Sequence, residues 1–169
     1  MKHNIITFNE KLKSKKNSHL FLLFFISFIL YKIISAVIVN AFAEDSFEHL
    51  SADNINSPFD LFVKFFSIVV IAPFFETVIF QVLPIETMIK FKTKPLLAVL
   101  LSSVIFALAH SYNIVYIITV FPLGFVYCYY YYLLRYKDKY LAFLSVVGLH
   151  AASNLFAYVN NFILIPLVN

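Results

Sequence analysis

Glu76 sits in the run APFFETVIFQ (72–81), with apolar residues on both sides and no cation within a helical turn. An ionised side chain in the middle of a membrane costs about 2.5–3.5 kcal/mol on insertion scales, so one kept there calls for a functional explanation. Four more polar or aromatic positions follow a shared pattern. His150 and Asn154 stand at i and i+4 in HAASN (150–154) and so face the same way on one helix. Phe106 and His110 have the same spacing in FALAH (106–110). One Glu, two His and one Asn form a set that can activate water. A carboxylate in low-dielectric surroundings can take a proton from water near neutral pH. Neutral imidazoles can orient that water, bind a metal or donate to a developing oxyanion, and an amide can do the last as well. Such a set suffices for peptide-bond hydrolysis without a covalent intermediate.

The elements that must carry these residues follow from composition. Of 169 residues, 62% are hydrophobic, 13% are charged and two are glycine. The mean hydropathy is +0.85. A soluble domain needs a polar face on most helices, and there are too few polar residues here to supply one. Several apolar runs reach the roughly 20 residues that span a bilayer core as helix. The pattern predicts an all-α, multi-pass transmembrane bundle with about five spans, near 19–43, 59–85, 95–110, 113–134 and 140–158. The tail to 169 reads as a short sixth segment. Residues 1–18 form a basic N-terminal segment, expected to fray at the membrane surface, and 19–169 a single membrane domain. Pro58 falls where a first-turn proline would open the second helix.

Charge supports the span count. Lysine and arginine gather before the first span, between the second and third (Lys90, Lys92, Lys94) and between the fourth and fifth (RYKDK, 135–139), whereas the loop from 44 is acidic. Basic residues on alternate loops place the N-terminus in the cytoplasm. The net charge of +4 therefore reports topology and gives no reason to expect nucleic acid as a partner; the expected surroundings are the lipid bilayer of the cell membrane. CYYYY (128–132), beside Arg135, reads as an aromatic belt at the cytoplasmic interface. Lys32 lies mid-span, and Lys64 is near enough to an end to snorkel.

Counting from the cytoplasmic lysines at 1.5 Å per residue puts Glu76 about 21 Å from Lys90, His110 about 24 Å from Lys94 and His150 about 17 Å from Lys139. Three helices thus carry these residues to similar depth. Interhelical hydrogen bonding explains any one of them, at about 0.6 kcal/mol each, but four at matching depths on three spans exceed what such bonding needs. Other intramembrane chemistries lack their residues: there is no aspartate pair on separate spans, no Gly-x-Ser on a glycine-rich helix and no His-Glu-x-x-His.

In the order and spacing of these motifs the chain resembles the CPBP family, the CAAX-protease and bacteriocin-processing proteins also called Abi. That family carries Glu-Glu-x-x-x-Arg, Phe-x-x-x-His and His-x-x-x-Asn/Asp on successive membrane helices. Here they read Glu76-Thr77-x-x-x-Gln81, Phe106 to His110 and His150 to Asn154, within a core of about 65–160. The resemblance implies an intramembrane endopeptidase with Glu76 as general base, His110 and His150 as its histidines and Asn154 as the oxyanion-side amide. It leaves the metal open, since a metalloprotease and a metal-free glutamate-activated water have both been proposed; Glu76, His110 and His150 could hold zinc with an open water position. Thr77 and Gln81 replace a Glu and an Arg together, so no lone buried ion remains, and the pair can still hydrogen-bond at i and i+4. The implied substrate is a peptide or membrane-protein segment, in peptide maturation, bacteriocin self-immunity or CAAX processing. The alternative is a non-catalytic membrane immunity or regulatory partner that keeps the fold.

Overall fold

The structure, a computed structural model, describes residues 10–12, 14–42, 57–160 and 162, without the side chains of 36–42. Five rods make up the bundle: α1 Asn17–Phe42, α2 Pro58–Lys90, α3 Pro95–Ala109, α4 Ile114–Leu134 and α5 Lys139–Val159. All but α3 are long and apolar enough to cross a membrane; α3 is an apolar helix of 15 residues. The expected sixth segment and the acidic loop lie almost wholly outside the described residues. Of the N-terminal segment expected to fray, residues 10–12 are helical and Leu12 is buried; 1–9 and 13 lie outside the described residues.

Local sequence sets the helix starts. Ser57 caps α2 by accepting from the Asp60 N–H at 3.2 Å, and its hydroxyl donates to the Asp60 carboxylate at 2.9 Å. Pro58 follows as the first-turn proline, as the sequence predicts. Asn113 caps α4 through the Tyr116 N–H at 2.8 Å, and Asp138 caps α5 through Tyr140 and Leu141. At the end of α2 the Thr93 N–H reaches Met88 O and the Lys92 N–H reaches Ile89 O, both at 2.9 Å. This is a Schellman close with Lys92, at φ 60°, in the left-handed position usually held by glycine.

α4 is the central helix. Tyr127, Cys128, Tyr130, Tyr131, Leu133 and Leu134 are all buried, which overturns the reading of 128–132 as an interfacial belt. The tyrosines are core because they pack inward: Phe24 of α1 stacks on Tyr130 at 4.6 Å, and the Tyr131 hydroxyl donates to Glu86 at 3.0 Å. Glu86 also holds Arg135 through Nε at 2.5 Å and Nη2 at 2.8 Å, and Lys139 at 2.7 Å. One carboxylate thereby ties the end of α2 to the end of α4 and the start of α5. At that same end Lys137 Nζ reaches the Lys15 carbonyl and, at 3.0 Å, Asn17 Oδ1. The basic segments therefore gather at one end of the bundle. Outward faces of α1 and α3, including Leu22, Ile26, Leu30, Leu97, Leu101 and Leu108, are exposed and apolar, as a lipid-facing surface requires.

The tightest helix pair is α3 with α4. Gly124 of α4 meets Ser103 and Phe106 of α3 there, and α3 also buries the small residues Ala98, Ser102 and Ala107. A Cβ on Gly124 would lie 2.7 Å from a ring carbon of Phe106 and 3.3 Å from the Ser103 carbonyl, whereas one on Gly148 would meet nothing within 4 Å. Gly124→Ala is expected to destabilise the bundle by about 1–3 kcal/mol through overpacking. Gly148→Ala should be neutral or stabilising by up to about 1 kcal/mol. Thermal unfolding in detergent compares the two; equal behaviour would contradict the close approach at Gly124.

Candidate active site

α2 is not a uniform helix. Its turns widen to π geometry over Phe66–Ile71 and again over Thr77–Val82. Each widened segment ends one residue before a residue that precedes proline, Ala72–Pro73 and Leu83–Pro84. The Ala72 N–H bonds Ser67 O, and the Leu83 N–H bonds Val78 O, each one residue further back than in an α-helix. Proline has no N–H and crowds the carbonyl four residues earlier, so widening the preceding turn is the local answer. Glu76 stands on the short α-helical stretch between the two widened segments.

The three helices do bring the ionisable residues together. Glu76 Oε2 lies 3.6 Å from His110 Nε2 and 3.5 Å from His150 Nε2. His110 is placed just past the end of α3, in the turn that leads to α4, rather than within the helix. Its Nδ1 meets the Phe106 carbonyl at 2.8 Å. That acceptor requires Nδ1 to carry a proton, and in the neutral ring Nε2 then presents a lone pair to the carboxylate. Two acceptors facing each other at this distance fit a proton-bearing group between them. A water donating its two hydrogens to Glu76 Oε2 and His110 Nε2, and accepting from an Nε2–H of His150, would satisfy all three atoms.

The ring of Phe106 explains its place in the motif. It lies 4.6 Å from His110 and 5.8 Å from His150, centroid to centroid, and edge-on to Tyr127 at 6.0 Å. Tyr127 stacks on His150 at 4.6 Å with the rings 26° apart. His150 Nδ1 has no hydrogen-bond partner among the described residues, so ring packing orients this imidazole. His150 is 4% exposed at its side chain, against 21% for His110 and 26% for Glu76. The cluster is therefore sealed on the α5 side and open on the side of the α3–α4 turn, where Ser111 and Tyr112 are exposed.

Asn154, one turn beyond His150, donates through Nδ2 to the Ile68 carbonyl at 2.9 Å. The widened turn accounts for this contact. In an α-helix Ile68 O would accept from Ala72, but that N–H goes to Ser67; the π partner would be residue 73, which is proline. Asn154 takes up the carbonyl so freed, and its second amide hydrogen stays available to an oxyanion. Thr77 and Gln81 are fully buried. The hydrogen bond expected between them is not formed, for the Thr77 hydroxyl and both polar ends of Gln81 lack partners among the described residues. Both side chains turn into the packed interior, with Gln81 beside Cys128 of α4. Neutral groups at 77 and 81 hold the burial cost to that of an unpaired amide or hydroxyl, well below that of a lone ion.

A zinc ion in a tetrahedral site with bonds of about 2.0 Å has ligands roughly 3.3 Å apart, close to both Glu–His separations. Among the described residues, however, no three His, Cys, Asp or Glu side chains are disposed as one metal-ligand group.

The model of the family described as Type II CAAX prenyl endopeptidase Rce1-like matches residues 58–156, well over half of the chain and every residue of the cluster. The chain belongs to that family. It is thus a member of a family of CAAX-type intramembrane proteases, the resemblance read from its three motifs, and with four helices able to cross a bilayer it is a membrane protein. No curated protein and no solved structure matches it.

Sequence reasoning missed Tyr127, Ile68 and Gly124. Gly124 was open to notice as one of two glycines in the chain. Ile68 contributes only a backbone atom, so its side chain carries no signal. The coupling through Pro73 is testable by a double-mutant cycle. Pro73→Ala supplies an N–H and a better helix former, and should raise thermal stability. Asn154→Ala should then cost about 0.5–1 kcal/mol less than it does beside proline, because Ile68 O regains a backbone donor. Strict additivity would contradict the link.

Proposed function

We propose that the chain is an intramembrane endopeptidase in which Glu76 activates the attacking water. The observation that carries this reading is the meeting of Glu76 Oε2 with Nε2 of both His110 and His150, each from a different helix. Water held among these three atoms loses a proton to the Glu76 carboxylate as its oxygen attacks the scissile carbonyl carbon. The carbonyl oxygen becomes an oxyanion, which the free N–H of Asn154 stabilises by hydrogen bonding. Glu76 then delivers the proton to the leaving amine, the C–N bond breaks, and acid and amine are released. His110, its tautomer fixed by Phe106 O, accepts from the water and sets its direction. His150, immobilised by Phe106 and Tyr127, donates through Nε2–H to a lone pair of the water oxygen from the buried side.

The chain would sit in the cell membrane with its basic end in the cytoplasm, as the positive-inside rule favours. The substrate is a peptide or a membrane-associated protein segment whose scissile bond reaches the cluster from the open His110 side. Peptide maturation and bacteriocin self-immunity are the roles that suit such a substrate. The family match supports the protease and does not favour the non-catalytic partner.

The test uses full-length chain in lipid nanodiscs with a quenched-fluorescent farnesylated CAAX peptide and, in parallel, a peptide library read by mass spectrometry. Glu76→Gln keeps the shape and removes the base. It should lower kcat/KM at least about 100-fold with an unchanged melting temperature. Cleavage at the wild-type rate by Glu76→Gln would rule out Glu76 as the base.

A further inference from the structure

A groove of about 490 Å³ lies away from the cluster, between the N-terminal segment, α1 and α4. Lys11 and Lys15 line one end, and among the described residues no carboxylate lines it. The walls are apolar, formed by Leu23 and Phe24 of α1 and Phe125 and Val126 of α4. Its far end reaches Ser27, ten residues beyond the start of α1 at Asn17, a distance of about 15 Å along the helix. The groove thus has cations at the end where α1 enters the membrane and a hydrocarbon-like interior below them.

The N-terminal segment is fixed in place to form it. Leu12 is buried, and Lys137 from the α4–α5 link reaches the Lys15 carbonyl and Asn17. Lys11 and Lys15 are exposed, and neither enters an ion pair with another described residue. We propose that this groove binds an anionic phospholipid, with the phosphate between Lys11 and Lys15 and one acyl chain lying along Leu23, Phe24, Phe125 and Val126. Charge complementarity selects the headgroup, because basic residues at a membrane entry point attract anionic lipid. The apolar depth below the lysines selects a lipid over a free anion. This inference is independent of the protease reading.

Native mass spectrometry of the full chain, released from detergent with phosphatidylglycerol or phosphatidylcholine, tests it. Wild type should retain one phosphatidylglycerol about tenfold more tightly than phosphatidylcholine. Lys11→Gln/Lys15→Gln should lose that preference. Lys90→Gln/Lys94→Gln, with the same charge removed at the same end of the bundle, should keep it. Ser27→Phe, which fills the deep end, should weaken retention of both lipids, and millimolar inorganic phosphate should displace neither. The proposal is overturned if both double variants behave alike, if the two lipids bind equally to wild type, or if inorganic phosphate competes.

Discussion

The carboxylate of Glu76 stands near mid-length of a helix that offers it no partner of its own, and the other helices are arranged around that need. In a bilayer an ionisable group must be shared with other polar groups or be neutralised. Two imidazoles on separate helices supply the sharing, one from the end of α3 and one from the middle of α5. Neither could do so alone with a fixed geometry. His110 is held by the carbonyl of Phe106, His150 by the rings of Phe106 and Tyr127. Phe106 therefore serves both histidines, and Gly124 lets α4 come close enough to hold Phe106.

The prolines of α2 are part of the same arrangement. Pro73 and Pro84 each force the turn before them to widen, and the first widening frees the carbonyl that Asn154 uses. A residue of α5 is thus oriented by a backbone defect in α2, and the defect is written in the sequence as one proline. At the cytoplasmic-side end expected from charge, Glu86 does the mechanical work of joining α2, α4 and α5. The chain uses its two glutamates on α2 differently. Glu86 is paired directly with cations, whereas Glu76 faces groups that leave room for water.

Much of this was legible in the sequence. Hydropathy and alternating basic loops predicted the helices of the bundle, and the i, i+4 spacing of Phe106 with His110 and of His150 with Asn154 predicted their shared faces. Depth counting from the lysines put Glu76, His110 and His150 at similar depth, because helix rise is nearly constant, and the packing of the helices brings them together. Features that depend on packing were not legible. Tyrosines near a basic residue satisfy both an interfacial belt and a buried core, and only the neighbours of Tyr127, Tyr130 and Tyr131 decide for the core. Glu86 drew no notice in the sequence; only the packed bundle brings Arg135, Lys139 and Tyr131 onto it. Thr77 and Gln81 have the spacing to bond each other, yet inward packing separates their polar atoms.

The central claim is that Glu76 and two imidazoles form one proton-sharing unit. Nitrogen-15 NMR of histidine-labelled protein in nanodiscs measures it directly, with His110 and His150 assigned by single His→Gln variants. The account predicts His110 in the Nδ1–H tautomer, and shifts of both Nε2 resonances on Glu76→Gln. An Nε2–H tautomer at His110, or imidazole resonances indifferent to Glu76→Gln, would contradict it.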